Sequence, residues 1–131
     1  MRMEFFVECP PVPKELSPNY RPASHGGAMG RALKVKRYRR EVAIAARFAL
    51  GGCEPPRWRS GVVAPCFYFN VSVRRRRDPD NLNGSLKAAI DCLVDAGIYL
   101  DDCAIETLHP LVVHQKVQRH YVMLICRGSK P

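Results

Sequence analysis

The sequence predicts an α+β fold, a small mixed sheet of about four strands with two helices packed on it in the order β-α-β-α-β-β. Three observations predict it. Between Cys66 and Arg74, apolar and polar residues alternate with the period of a half-buried strand. From Lys34 to Leu50 the apolar residues recur at steps of three and four, the period of a helix with one face on a core. The chain then closes with two strand-like runs after a second helical stretch. At 131 residues without an internal repeat, residues 1–131 form one domain with one core.

Taken in order, Phe5 to Cys9 reads as a short strand, stopped by Pro10-Pro11-Val12-Pro13 because proline lacks the amide hydrogen that a ladder needs. The span from about Lys14 to Arg31 is rich in Pro, Ser, Gly and Asn and is expected to be a long loop, either functional or disordered, with a mobile His25-Gly26-Gly27 segment. In the first helix Val35, Tyr38, Val42, Ala45 and Ala49 share one face, and Lys36, Arg40 and Arg47 fall opposite, as a solvated surface or a contact for an anionic partner. Gly51-Gly52 ends the helix, and Glu54-Pro55-Pro56 carries a turn. In the next strand Phe67, Phe69, Val71 and Val73 point one way. The second helix, roughly Ser85 to Ala96, turns Leu86, Ala89, Ile90 and Leu93 to the core and Lys87, Asp91 and Asp95 to a polar stripe, with Gly97 as its stop. The last two strands, Ile105 to His114 and Val117 to Cys126, are separated only by Gln115-Lys116, which suggests a hairpin.

Twenty-one Lys and Arg against twelve Asp and Glu give a formal net charge of +9, which attracts a polyanion at long range, nucleic acid before an acidic membrane surface. The short apolar run at the N-terminus carries an acid on each side and lacks the length of a signal peptide or membrane span, so a cytoplasmic protein is expected. Six cysteines occur with no C-x-x-C pair, which points to reduced, packed thiols rather than a zinc or thioredoxin-like site.

The candidate chemistry lies in the acidic residues. Four arginines, Arg74 to Arg77, run directly into Asp78-Pro79-Asp80-Asn81. Two aspartates spaced i, i+2 in extended backbone project to the same side and converge on one cation, and the proline disfavours a helical Asp78. Their oxygens are the hard ligands that magnesium or manganese prefers. An acidic turn salt-bridged to the arginines is the alternative. The EF-hand register fails, because Leu82 and Asn83 stand where a ligand and a glycine are required. Asp101-Asp102 fits either a solvated turn or a further ligand, and Lys87 either a phosphate-facing cation or an i, i+4 partner for Asp91.

The block Arg-Arg-Arg-Arg-Asp-Pro-Asp-Asn-Leu, Leu-Lys-Ala-Ala-Ile-Asp-Cys-Leu and Ala-Gly-Ile-Tyr-Leu-Asp-Asp, from Arg74 to Asp102, resembles the RusA family of Holliday-junction resolvases. The family pattern is a D-x-D-N-L turn, a helix beginning near K-A-A, and an aromatic-containing turn that ends in D-D. The resemblance places the family's three essential aspartates on Asp78, Asp80 and Asp102, with Asp101 as the fallback, and its functional lysine on Lys87. It implies a magnesium-dependent homodimer that makes paired nicks in branched DNA and needs no small-molecule cofactor, with Arg74, Arg75, Arg76 and Arg77 on DNA phosphate. Asn83-Gly84-Ser85 makes the gap from Asp80 to Lys87 three residues longer than that pattern. Lys87 stays in the first turn of its helix if Ser85 is the cap. Tyr20, Trp58 and Tyr99 are aromatics that either pack in the core or wedge at an opened junction.

Overall fold

A computed structural model describes residues 3–17, 25–72 and 79–128. The fold is α+β, as the sequence predicts, with a mixed five-stranded sheet. Strand β1 (Glu4–Cys9) is followed by a 3₁₀ turn (Lys14–Leu16), helix α1 (His25–Leu50) and strand β2 (Gly61–Asn70). Next come the short helix α2 (Pro79–Gly84), helix α3 (Lys87–Asp95), a second 3₁₀ turn (Asp102–Ala104), and strands β3 (Ile105–Thr107), β4 (Leu111–Gln115) and β5 (Tyr121–Gly128).

Strand β2 is central. It pairs antiparallel with β5, which in turn pairs antiparallel with β1 at one edge. On its other side β2 pairs in parallel with β3 near its start and with β4 near its end. Alternation decides which side chains enter the core: Phe5, Val7 and Cys9 of β1, Val63 and Phe67 of β2, and Val122, Leu124 and Cys126 of β5. Against them α1 lays Tyr38, Val42, Ala46 and Leu50, four residues apart, and α3 adds Ala88, Ala89, Cys92 and Leu93. Among the described residues no helix is long and apolar enough to cross a membrane.

Four expectations are corrected. The span read as a loop up to Arg31 is helical from His25, and Glu15 of the first 3₁₀ turn ties down that start: its carboxylate accepts from Lys34 Nζ at 2.6 Å and its carbonyl from Arg31 Nε at 2.9 Å. Strand β2 begins at Gly61 and ends at Asn70, so Val71 is half exposed rather than buried, and Val73 lies outside the described residues. The run from Ile105 to His114 is two strands, interrupted at Leu108-His109-Pro110. Finally, β4 and β5 form no hairpin, because β2 lies between them and the chain from Lys116 to His120 crosses the end of β2.

Proline explains two of these. Pro65 sits inside the central strand, opposite the interval between the β3 pairing, which ends at Val63, and the β4 pairing, which begins at Cys66. A residue without an amide hydrogen is tolerated where one side of the ladder is open. Pro110 lies in the matching break on the other side, next to the start of β4.

Candidate metal centre

The site is built from the two ends of α3. Helix α2 starts at Pro79, a residue suited to the first turn of a helix because its missing amide hydrogen would have had no partner there. Asp80 is therefore helical, which overturns the expectation of extended backbone through Asp78-Pro79-Asp80; its side chain lies outside what is described, as do Asp78 and Arg74, Arg75, Arg76 and Arg77 entirely. Asn83 and Gly84 close α2, and Ser85 lies in the turn after it. In that turn the Ser85 hydroxyl donates to the Leu82 carbonyl at 2.6 Å instead of capping α3. Lys87 is nevertheless the first residue of α3, and it is exposed.

At the far end, Gly97 takes a positive φ of 84° and turns the chain back beneath Pro55. Ile98 and Tyr99 are then fully buried, with the Tyr99 ring 5.4 Å from Trp58 and its hydroxyl 2.7 Å from the Val62 carbonyl. Trp58 and Tyr99 are core residues, so the wedge reading fails for both; Tyr20 lies outside the described residues. This anchor delivers Leu100, Asp101 and Asp102 to the surface. The Asp101 carboxylate accepts the Cys103 amide hydrogen at 3.1 Å, capping the second 3₁₀ turn, and that bond holds its pKa below the ordinary value.

Asp101, Asp102 and Cys103 carry potential ligand atoms within 4.8 Å of one another, all exposed. The two carboxylates suit a hard divalent cation that keeps part of its water shell. The thiol does not: it is soft, and the charges of Asp101 and then Asp102 push its pKa up, keeping it protonated. Beside them opens a cleft of about 260 Å³ lined by Arg39, Asp91, Val94, Asp95, Leu100, Asp101 and Asp102. Arg39 of α1 reaches Asp91 at 3.5 Å and Asp95 at 3.8 Å. Asp91 follows Lys87 on the polar stripe of α3, about 6 Å along the axis, so the lysine and the cleft share one side of that helix.

The structure thus brings Asp102 together with Asp101, Asp91 and Asp95, and sets Lys87 one turn beyond. Arg39 is the member that sequence reasoning missed. Nothing in its own neighbourhood marks it, because its carboxylate partners come from another helix. Of the expected basic stripe Lys36, Arg40 and Arg47, all exposed, Arg40 and Arg47 line a second groove of about 240 Å³ with Arg39, beside Cys92 and Asp95.

No protein-family model matches the chain, and no curated protein matches it. What bears on function is therefore the chain's own residues.

Proposed function

We propose that the chain is a metal-dependent, structure-selective endodeoxyribonuclease that resolves four-way (Holliday) DNA junctions by paired nicks in recombination and repair. The observation that carries this reading is an ordered constellation in a chain of net charge +9: four arginines, Asp78-Pro79-Asp80-Asn81-Leu82, Lys87-Ala88-Ala89, then Asp101-Asp102. Its support in the structure is that Lys87 and Asp102 are both exposed, and that Asp91, one turn after Lys87 on α3, lines the same open carboxylate cleft as Asp102. A homodimer working in the cytoplasm belongs to the same proposal, because two equivalent sites on a two-fold axis suit a roughly two-fold substrate.

In this reading Asp78, Asp80 and Asp102 would hold magnesium or manganese, a ligand set that rests on the sequence resemblance and no longer on an extended Asp78-Pro79-Asp80. The bound ion supplies Lewis acidity toward the scissile phosphate and a more acidic attacking water. Lys87 places an ammonium toward the charge that develops on the leaving oxygen. Arg39 compensates Asp91 and Asp95, so that a phosphate entering the cleft meets less negative charge than four bare carboxylates would present. Arg74 to Arg77 hold the DNA backbone.

The test is cleavage of a synthetic four-way junction against linear duplex of the same sequence, in magnesium and in chelator, for wild type and Asp80→Asn. Junction-selective, magnesium-dependent paired nicks that the substitution abolishes are expected. Tight junction binding with no cleavage would favour a second reading, a non-catalytic junction-binding protein. Preferential cutting of other branched DNA or of RNA would keep the centre and change the substrate.

A further inference from the structure

The crossing loop between β4 and β5 is the strongest feature that the metal centre leaves unused. Strand β4 runs parallel to β2 and ends beside Asn70, and β5 starts beside Tyr68 on the opposite side of β2. Residues Lys116 to His120 therefore arch over the end of β2, at the point where the chain leaves the sheet toward the arginine run. Asn70 clasps this arch: its amide donates to the Val117 carbonyl at 2.6 Å, and its side-chain oxygen accepts from the Ser72 amide and hydroxyl, each at 3.0 Å. A polar side chain at a strand end thus fixes the loop to Ser72, just past the end of β2.

The chemistry of the arch is one-sided. Lys116 and Arg119 are exposed, with no ion pair seen among the described residues. From Thr107 to the last residue the sequence contains no Asp or Glu, whereas it contains Lys116, Arg119, Arg127, Lys130 and three histidines. Two of these, His114 and His120, flank the Phe69 ring at 6.0 and 5.4 Å between centroids, forming an aromatic floor at the base of the arch. His114 pairs in register with Phe69 and Val112 with Phe67, so this floor lies on the same side of the sheet as the core onto which Leu82 of α2 packs. The arch itself, Lys116 to His120, carries two exposed cations and no acid, which fits contact with a phosphodiester backbone.

We propose that the Lys116–His120 arch, with His114, is a second nucleic-acid backbone contact, tied by Asn70 to the end of β2. The inference rests on the nuclease reading for its partner, and adds a binding element distinct from the carboxylate centre.

Fluorescence anisotropy of a labelled four-way junction, in chelator so that no strand is cut, tests it on the full chain. Lys116→Gln with Arg119→Gln removes two exposed charges and touches no buried residue. The expected result is a loss of affinity of about tenfold at physiological salt, with a log–log salt slope shallower by about two, one unit for each lost phosphate contact. Arg59→Gln with Arg127→Gln removes the same net charge near the start of β2, where Arg127 pairs with Val62, at the other end of that strand from the arch. That pair should have a clearly smaller effect. Unchanged affinity in the loop variant, or an equal loss in both variants, overturns the assignment of the contact to this arch. Failure of the wild type to bind the junction at all overturns the inference together with the nucleic-acid reading, whereas binding without cleavage in magnesium sinks only the catalytic one.

Discussion

Glu15 is the residue on which the N-terminal arrangement turns. Its side chain is only 6% exposed, although carboxylates are rarely covered unless paired, and Lys34 is the partner that meets it. The lysine hydrogen bond is the first cause that lowers its pKa from the ordinary 4.5, so the folded chain holds this proton more weakly than the unfolded chain does. The resulting stabilisation is complete above the ordinary carboxylate range and is lost as pH falls through the folded value. Glu15→Gln should therefore cost about 1 kcal/mol near neutral pH, since one partner is solvated, and the deficit should vanish in acid. Urea denaturation of both chains at pH 7 and pH 3 checks this; an equal deficit at both would assign the effect to packing instead. In the candidate centre, Lys87→Ala should lower single-turnover cleavage by about 10²–10³-fold with little change in junction affinity, as expected for a cation acting on developing charge. A matching loss in affinity would make Lys87 a backbone contact. At this scale the sequence was readable where a residue's role depends on its chain neighbours. The polar stripe of Lys87, Asp91 and Asp95 on α3 was legible that way, although Ser85 does not cap the helix as the Lys87 placement assumed, while Arg39 and Glu15 were not, because each depends on a partner on another element.

At the scale of elements, the ends of the sheet are set by close approaches that admit no side chain. A Cβ at Gly128 would enter the ring of Trp58, and one at Gly61 would meet the Arg127 carbonyl and the Tyr99 ring. Trp58 is itself buried between Phe5, at 5.7 Å, and Tyr99, so its ring has nowhere to retreat. Gly128→Ala should accordingly destabilise by about 1–3 kcal/mol, the usual cost of overpacking, and lower the thermal midpoint by several degrees. An unchanged midpoint in a thermal scan would mean that the end of β5 can peel away from Trp58. Element types were legible because the helical and strand periods were strong in α1, α3 and the second half of β2. Element ends were less so. Pro65 hid the first half of β2, since a proline argues against a central strand unless one side of its ladder is open, and that opening exists only once β3 and β4 are in place. The apparent hairpin failed for a similar reason. The short link between its strands was visible, but the insertion of β2 between them is a long-range pairing that no local pattern encodes.

For the whole molecule, charge makes the sharpest demand. A net +9 on 131 residues self-repels and attracts a polyanion at long range, and four of the twelve acids line the cleft beside α3. If four arginines and the two cations of the arch each neutralise one phosphate, the log of the junction association constant should fall with the log of salt at a slope of about −5. Between 50 and 200 mM salt this amounts to about a thousandfold loss of affinity, measured by anisotropy in chelator so that magnesium does not compete for the same phosphates. The number of contacts and their location separate in this experiment. The total slope counts the phosphates engaged, and the change in slope for each pair of neutralised side chains apportions them between the arginine run and the arch. A slope near zero would mean that binding, if any, is driven by buried apolar or hydrogen-bonded contacts, and the positive charge would then have to be explained by something other than a polyanionic partner. A steep slope shared equally by junction and linear duplex would keep the polyanion and place the selectivity for branched DNA in geometry alone, where two copies of one site must meet two strands at a fixed spacing.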